Sequence, residues 1–294
     1  MDEAGSSNLS ALVVEGGAMR GIFAAGVLDA FIESDYLPFD FAIGVSAGST
    51  NLIGYLAGDH GRSRRILLDH ARRADFINWR RYLKGGHFCD VGWLWHASYD
   101  DVPLNIPRYL DNAVPLYAVT TSIETGEARY LRVTAENMHE VFPASCAIPL
   151  FYRDFPRVDG EPMTDGGLAD SIPVLRAYEQ GARDITVVLS RPLGYRKRVS
   201  PAPKLMKQFF HDHARLFETV LDRAERYNRA LDFIQSPPQG CRITAIAPPL
   251  EFPVKRFTRE VDLLERGYQC GRASGLEHLH ARALPGLMVW PVPE

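Results

Sequence analysis

No stretch of this 294-residue chain comes near the roughly 18 apolar residues that a membrane-spanning helix needs, so a soluble protein is expected. The opening Met-Asp-Glu-Ala-Gly-Ser-Ser-Asn-Leu-Ser is acidic and polar, followed by only a short apolar strand, and does not read as a secretory signal. Cysteine is scarce. Cys89, Cys146, Cys241 and Cys270 are widely spaced with no C-x-x-C pair, which indicates neither a zinc site nor a disulfide framework. Reduced thiols in a cytoplasmic protein are the expectation. Positive charge is not in excess either: the net charge is −3, without the global basic field of a nucleic-acid binder. There is no internal repeat and no low-complexity tract. No Asp/Glu/His cluster suits calcium or zinc, so no metal and no cofactor are expected.

Apolar content, by contrast, is ample at 46%, enough for a sizeable core in one large or two small domains. Over the first 190 residues, short β-rich runs alternate with helical patterns. Ala11–Glu15 reads as a buried strand, followed by a Gly-rich turn at Gly16–Gly21. Ile22–Ser34 then carries Ile22, Phe23, Val27, Leu28, Phe31 and Ile32 at helical spacing. Phe39–Val45 predicts the next strand, Ala47–Ala57 a helix and Arg62–Ala74 a more polar helix. Leu116–Ser122 and Arg129–Val133 flank Glu124–Glu127 as a hairpin would, and Pro173–Gln180 and Asp184–Ser190 repeat the helix–strand alternation. This pattern predicts an α/β fold, a three-layer α/β/α sandwich around a central, mainly parallel sheet.

Beyond Arg191 come a basic, Pro-containing connection (Arg191–Pro203), a long charged helix (Lys204–Gln235), a strand (Cys241–Ala247) and a final helix (Arg259–Leu284). A returning strand needs a sheet to join. The chain is therefore read as one domain over 1–294, with a motif-bearing part of about 11–190 and a completion over 191–294; a boundary near Arg191 is the alternative.

Four segments carry chemistry. Gly44-Val-Ser-Ala-Gly48 lies between a strand pattern and a helix pattern, the context of a nucleophile elbow with Ser46 exposed on a tight turn and Gly44 and Gly48 where a Cβ would clash. The helix N-terminus beyond Ser46 offers unpaired N–H groups and partial positive charge to an oxyanion. A plain helix-capping serine is the bland alternative. Gly16-Gly-Ala-Met-Arg-Gly21 opens another helix; it satisfies neither G-x-G-x-x-G nor a P-loop and reads best as an oxyanion loop. Asp165-Gly-Gly167 presents a carboxylate at a turn that follows a hairpin-like stretch, Phe155–Thr164. Ala144-Ser-Cys-Ala-Ile-Pro149 supplies a small-residue wall.

In this order, from about Leu12 to Pro173, the four segments resemble the patatin-like phospholipases, whose motifs are G-G-G-x-[R/K]-G, G-x-S-x-G, A-S-x-A-x-P and D-G-[G/A]. Ser171–Val174 after the aspartate is also typical. The resemblance implies a patatin-like fold and a Ser-Asp dyad, with Ser46 attacking an acyl carbonyl and Asp165 taking its proton without a histidine. It implies an oxyanion hole built on Gly16, Gly17, Ala18, Arg20 and Gly21, with N–H groups of Gly17, Ala18 and the residue after Ser46 as donors. Arg20 would brace the loop or touch an anionic head group. An acyl-Ser46 intermediate would be cleaved by water. Ala18 departs from the pattern, standing where the family has its third glycine. A positive φ there would compromise one donor, whereas a negative φ would accommodate alanine.

Other readings remain. A histidine triad would need His211, His213, His278 or His280, all in charged helical stretches where a solvated side chain is the default. The runs Arg62–Arg65 and Arg196–Arg198 are expected to be solvated faces, with weak attraction to an anionic membrane surface as the alternative. Phe76–Tyr99, rich in tryptophan, is ordinary packing, with a lid or an acyl-binding mouth as the alternative. The expected partner is a lipid or other acyl-ester substrate, with peripheral membrane contact as an option and no nucleic acid; oligomeric state is not legible. The competing functions are a small-ester carboxylesterase and a non-catalytic binding protein that keeps the fold.

Overall fold

The computed structural model describes residues 8–199 and 210–283. Its strands are β1 (Leu9–Val14), β2 (Phe41–Val45), β3 (Leu116–Ser122), β4 (Ala128–Arg132), β5 (Arg157–Val158), β6 (Glu161–Asp165), β7 (Ala182–Val188) and β8 (Arg242–Ile246). Its helices are α1 (Gly21–Glu33), α2 (Ala47–Leu56), α3 (Arg62–Arg65), α4 (Trp79–Leu83), α5 (Val91–Asp101), α6 (Ile106–Asp111), α7 (Met138–Cys146), α8 (Val174–Glu179), α9 (Ala214–Gln235) and α10 (Val261–Ala283). Among the described residues no helix is long and apolar enough to cross a membrane.

The strands form one mixed sheet, ordered β5-β6-β3-β2-β1-β7-β8, with β4 also on β3. From β3 to β8 the ladder is parallel. Strand periodicity explains the layers. Leu12 and Val14 join the apolar cluster with Phe23, Phe31 and Leu52 of α1 and α2. Ala11 and Val13 point the other way, into the cluster with Val174 of α8 and Tyr227 and Leu231 of α9. The fold is thus α/β/α around a mainly parallel sheet.

Three of the sequence expectations need correction. The helix expected over Arg62–Ala74 is α-helical only to Arg65, then widens into a π-helical turn, Ile66–His70, where the Ala71 N–H reaches back to the Ile66 carbonyl. That turn places Leu67 and Leu68 in an apolar cluster with Met19 and Ile22. The long charged helix starts at Ala214 rather than Lys204; residues 204–209 lie outside the described residues, as does Leu284. Finally, α7 was not anticipated.

The position of β1 matters for the site. From β1 the chain builds outward to β2 and β3, then returns to the opposite side of β1 as β7. The carboxyl end of β1 therefore lies at a topological switch point, where open α/β sheets form a crevice. The edges of β3 matter equally. β4 occupies one edge from Tyr117 to Thr121, so β2 and β6 must share the other. β2 pairs there as far as Val45 opposite Val119, and β6 arrives antiparallel with Asp165 opposite Thr120. The two strands end head to head on neighbouring positions of β3.

Residues 21–31 of α1 are all buried, which requires cover on the side away from the sheet. α10 supplies it through Gly267, Gly271 and Gly275, a glycine at every fourth position. A Cβ at Gly271 would lie 2.0 Å from the Phe23 carbonyl oxygen, and one at Gly26 would lie 2.1 Å from that of Tyr268. Tyr268 seals the contact by donating to Asp29 Oδ2 at 2.9 Å. Helix propensity alone would favour alanine over glycine by about 1 kcal/mol. We predict the opposite sign for Gly271→Ala, a loss of about 3 kcal/mol in urea unfolding, because the atom it meets is backbone and cannot turn aside.

Candidate active site

Ser46 is the only residue between β2 and α2, at φ 53° and ψ −127°. For a non-glycine residue this conformation costs on the order of 1–3 kcal/mol and must be held from outside. Both its backbone groups are tied. The Ser46 N–H donates to Ser145 Oγ at 2.9 Å, and that hydroxyl donates to the Val119 carbonyl of β3 at 2.7 Å. The Ser46 carbonyl accepts from the Ser49 N–H at 2.9 Å and the Ser49 hydroxyl at 2.7 Å. The flanking glycines permit close approach: a Cβ at Gly44 would meet Ser49 Cα at 2.6 Å, and one at Gly48 would meet the Val14 carbonyl oxygen at 2.4 Å.

The glycine-rich loop after β1 lies directly on this turn. A Cβ at Gly16 would stand 2.7 Å from the Val45 carbonyl oxygen and 3.0 Å from Ser46 Cβ. Among the described residues the N–H groups of Gly16, Gly17 and Ala18 have no acceptor, whereas those of Met19 and Arg20 donate to the carbonyls of Arg256 and Gly17. Ala18 has φ 49°, so alanine here occupies the left-handed region; its N–H nonetheless has no acceptor among the described residues, so the strain falls on stability and the donor is kept. Arg20 is buried and reaches the end of β7, its Nε donating to the Ser190 carbonyl at 3.1 Å; burial pulls its pKa down to about 10. Gly21 opens α1, and its carbonyl accepts from the Asn51 side chain at 2.8 Å. Gly16, Gly17, Ala18 and Arg20 line the hollow beside Ser46; Gly21 instead packs on α2.

Asp165 ends β6. Its N–H donates to the Ala147 carbonyl at 3.0 Å, and its Oδ1 accepts from the Gly167 N–H at 2.8 Å. Burial raises the carboxyl pKa, and the adjacent Ser46 hydroxyl is the largest influence opposing that rise. Oδ2 is buried without a hydrogen-bond partner, so Ser46 and Asp165 are neighbours without a closed bond. Catalytic pairs commonly tighten only around substrate. The turn after Asp165 is braced by α9: Arg223 Nε donates to the Gly167 carbonyl at 2.6 Å, and Arg226 donates to the carbonyls of Ala169 at 2.8 Å and Leu168 at 3.0 Å.

Two cavities meet at Ser46. The larger, whose empty space of about 990 Å³ includes room open to solvent, is overwhelmingly apolar, with walls that include Leu67, Phe76, Leu94, Trp95, Phe142 and Phe151. The aromatic stretch Phe76–Tyr99 thus forms a substantial part of its lining. Cys146 also faces Ser46 from this side, but burial pushes its thiol up to about 12, so it stays neutral and a poor nucleophile. The second hollow is polar and contains Asp165 and several cations. Among the described residues no histidine lines either cavity. His278, expected at a solvated surface, is instead buried against Phe31 and Tyr36, and burial lowers its pKa to about 4.

Parts of the basic runs also differ from the expected solvated faces. Arg62 is buried, lines the apolar cavity and donates Nε to the Val102 carbonyl at 3.0 Å, while Lys197 lines the polar hollow. Sequence reasoning missed Ser145 as the strap on Ser46, and Lys197, Arg223 and Arg256 as site residues. The A-S-x-A-x-P block was a usable signal for Ser145; charged residues in or beside helices gave none for the cations.

A serine at a strand-to-helix elbow thus lies beside a buried carboxylate and a loop whose N–H groups at Gly16, Gly17 and Ala18 have no acceptor among the described residues. The sequence pattern of the family described as "Patatin-like phospholipase" matches residues 12–178, and the chain belongs to that family. A domain of unknown function, DUF6363, matches residues 213–282. The chain is 32% identical to the uncharacterized protein YjjU of Escherichia coli (strain K12) over 273 residues, covering 90% of this chain and 75% of that protein. Its fold resembles VipD from Legionella pneumophila, with a TM-score of 0.52 at 12% identity over 93% of this chain and 67% of the other.

The left-handed conformation costs alanine about 1–2 kcal/mol more than glycine, while glycine gives back about 0.4–1 kcal/mol through the unfolded chain. Ala18→Gly is therefore expected to raise stability by roughly 0.8 kcal/mol, read as a higher urea midpoint at constant slope.

Proposed function

We propose that this chain hydrolyses acyl esters of lipids, with Ser46 as nucleophile and Asp165 as general base. The observation that carries the reading is the head-to-head meeting of β2 and β6 on one edge of β3, which sets an over-determined serine turn beside a buried carboxylate.

The chemistry then runs in two halves. Asp165 takes the Ser46 proton as Oγ bonds to the ester carbonyl carbon. The developing oxyanion is held by the N–H groups of Gly17 and Ala18 and by that of Ala47 at the N-terminus of α2. The carbonyl re-forms as the C–O bond to the alcohol breaks, and Asp165 returns its proton to the leaving oxygen. Water, deprotonated by Asp165, next attacks acyl-Ser46 and frees the fatty acid and the serine. Burial helps here, since a carboxylate with a raised pKa is a stronger base than an exposed one. The apolar lining beside Ser46 suits an acyl chain, and each buried methylene contributes about 0.8 kcal/mol. Because α9 braces the Asp165 turn and the Arg256 carbonyl holds the loop after β1, we read the chain as one functional domain.

The test is a kinetic screen on p-nitrophenyl esters from acetate to octanoate, below their micelle-forming concentrations. kcat/KM should rise with chain length, and Ser46→Ala should abolish turnover. A maximum at acetate would favour a small-ester esterase; no Ser46-dependent turnover of any ester would favour a binding protein.

Asp165→Asn should cost about 10²–10⁴ in rate while leaving the protein folded. The pH dependence has a definite sign. Only ionised Asp165 serves as base, so activity should fall with acid at a pH above the ordinary aspartate range near 3.9. A pKa raised on folding means the native state holds that proton more tightly, so ionisation removes stability as pH rises through the folded pKa. Melting across this range should show that loss in wild type and not in Asp165→Asn.

A further inference from the structure

The apolar cavity beside Ser46 holds one residue that a plain alkyl chain does not explain. Arg62 lines it, is only 2% exposed, and keeps both Nη groups buried with no acceptor. Its Nε alone is satisfied, donating to the Val102 carbonyl at 3.0 Å. Among the described residues no Asp or Glu lines the cavity, and Arg62 forms no ion pair. Asp59 is the carboxylate that does most to keep it charged, but Asp59 Oδ2 accepts from the Asn105 N–H at 2.9 Å and does not close on the guanidinium.

The fold sets this cation at a fixed distance from the nucleophile. Gly61, at φ 76°, turns the chain into α3 and donates its N–H to Asp29 Oδ1 at 3.0 Å. The Arg62 stem then lies along α2: a Cβ at Gly54 would stand 3.9 Å from Arg62 Cδ and 3.5 Å from Ser63 Oγ. Gly54 comes about two helical turns after Ser46, so at ~1.5 Å per residue Arg62 meets α2 roughly 12 Å along its axis from the nucleophile. The Val102 N–H donates to the Ser98 carbonyl at 3.0 Å, which ties Ser98 to the same corner, and both Ser63 and Ser98 line the cavity with Arg62. One corner of an otherwise apolar cavity, a medium acyl chain away from Ser46, is therefore cationic and carries hydroxyls.

Burial draws the Arg62 pKa down to about 10, so the guanidinium is still charged at neutral pH. A buried charge without a partner is unfavourable, and a planar guanidinium with two free Nη groups matches a carboxylate bidentately. An acyl chain ending in a methyl group would leave this cation unpaired; one ending in a carboxylate would pair it. We propose that Arg62 makes the far end of the apolar cavity a carboxylate subsite, and that the acyl group cleaved at Ser46 is a medium-length chain with a carboxylate at its distal end. This rests on the acyl-hydrolase reading above and names the acyl group on which it acts.

The experiment compares p-nitrophenyl octanoate with the p-nitrophenyl half-ester of suberic acid, which has the same carbon count and a terminal carboxylate, and adds p-nitrophenyl butyrate as a reporter of Ser46 chemistry. Wild type should cleave the hemisuberate with a kcat/KM no lower than that for octanoate, although an apolar cavity without a counter-charge would reject the anion. Arg62→Gln should lower the hemisuberate-to-octanoate ratio by about a hundredfold, mainly through KM, because it leaves the substrate carboxylate buried and unpaired. Arg62→Lys should recover about tenfold of that loss. Suberate should inhibit butyrate cleavage by wild type at least about tenfold more tightly than octanoate does, the scale of one charge-assisted hydrogen bond. If Arg62→Gln does not fold, the wild-type ratio and the suberate–octanoate comparison decide the matter alone. Ser46-dependent cleavage of butyrate with strong rejection of the hemisuberate would overturn the subsite alone. So would equal losses on both long esters in Arg62→Gln, which would make Arg62 a strut for Val102, or acetate that inhibits as tightly as suberate, which would assign the corner to a free small anion. Cleavage of none of the three esters by wild type would overturn the acyl-hydrolase reading and the proposal with it.

Discussion

The structure turns on one edge of β3. Because β4 takes the other edge, β2 and β6 have to share this one, approaching from opposite directions and stopping at Val119 and Thr120. That constraint places Ser46 beside Asp165 although they are far apart in sequence. It also explains the role of Ser145. Its hydroxyl spans from the Val119 carbonyl to the Ser46 N–H, pinning the strained turn to the strand that positions its partner. Strain at Ser46 persists because both of its backbone groups are held by others.

The region beyond residue 210 belongs to this arrangement as much as the motif-bearing part does. β8 extends the sheet beside β7, and α10 covers α1 so closely that glycine is needed on both helices. From the same region come Arg223 and Arg226 on the Asp165 turn and the Arg256 carbonyl on the Met19 N–H. The two matched regions, 12–178 and 213–282, thus meet around Ser46. A change in α9 that frees the Asp165 turn would therefore act on the candidate chemistry without touching Ser46.

The balance of charge around the site follows from the same packing. Asp165 is buried, and its ionised form is supported by the Ser46 hydroxyl first and then by Arg223. One side of Ser46 is apolar and the other carries cations. The loop after β1, whose N–H groups at Gly16, Gly17 and Ala18 have no acceptor among the described residues, lies against that same turn.

The architecture and the chemical motifs were legible because they rest on short-range signals: strand and helix periods, the glycines at the elbow, and a carboxylate at a two-glycine turn. Ala18 could only be posed as a question, since φ is not written in a residue type; the answer is a left-handed alanine. The π-turn at Ile66–His70 was hidden because its apolar spacing mimics an α-helix. Arg62 and Lys197 looked like surface charge, and only tertiary packing turns them inward. Arg223 and Arg256 carry no local signal because their meaning arises from where α9 and the segment before α10 dock. The most direct test of the central claim is peptide mapping of protein treated with a fluorophosphonate, with and without prior heat unfolding. The account predicts one adduct, on Ser46, that is lost on unfolding and in Ser46→Ala; an adduct on a different serine, or equal labelling of the Ser46→Ala protein, would contradict it.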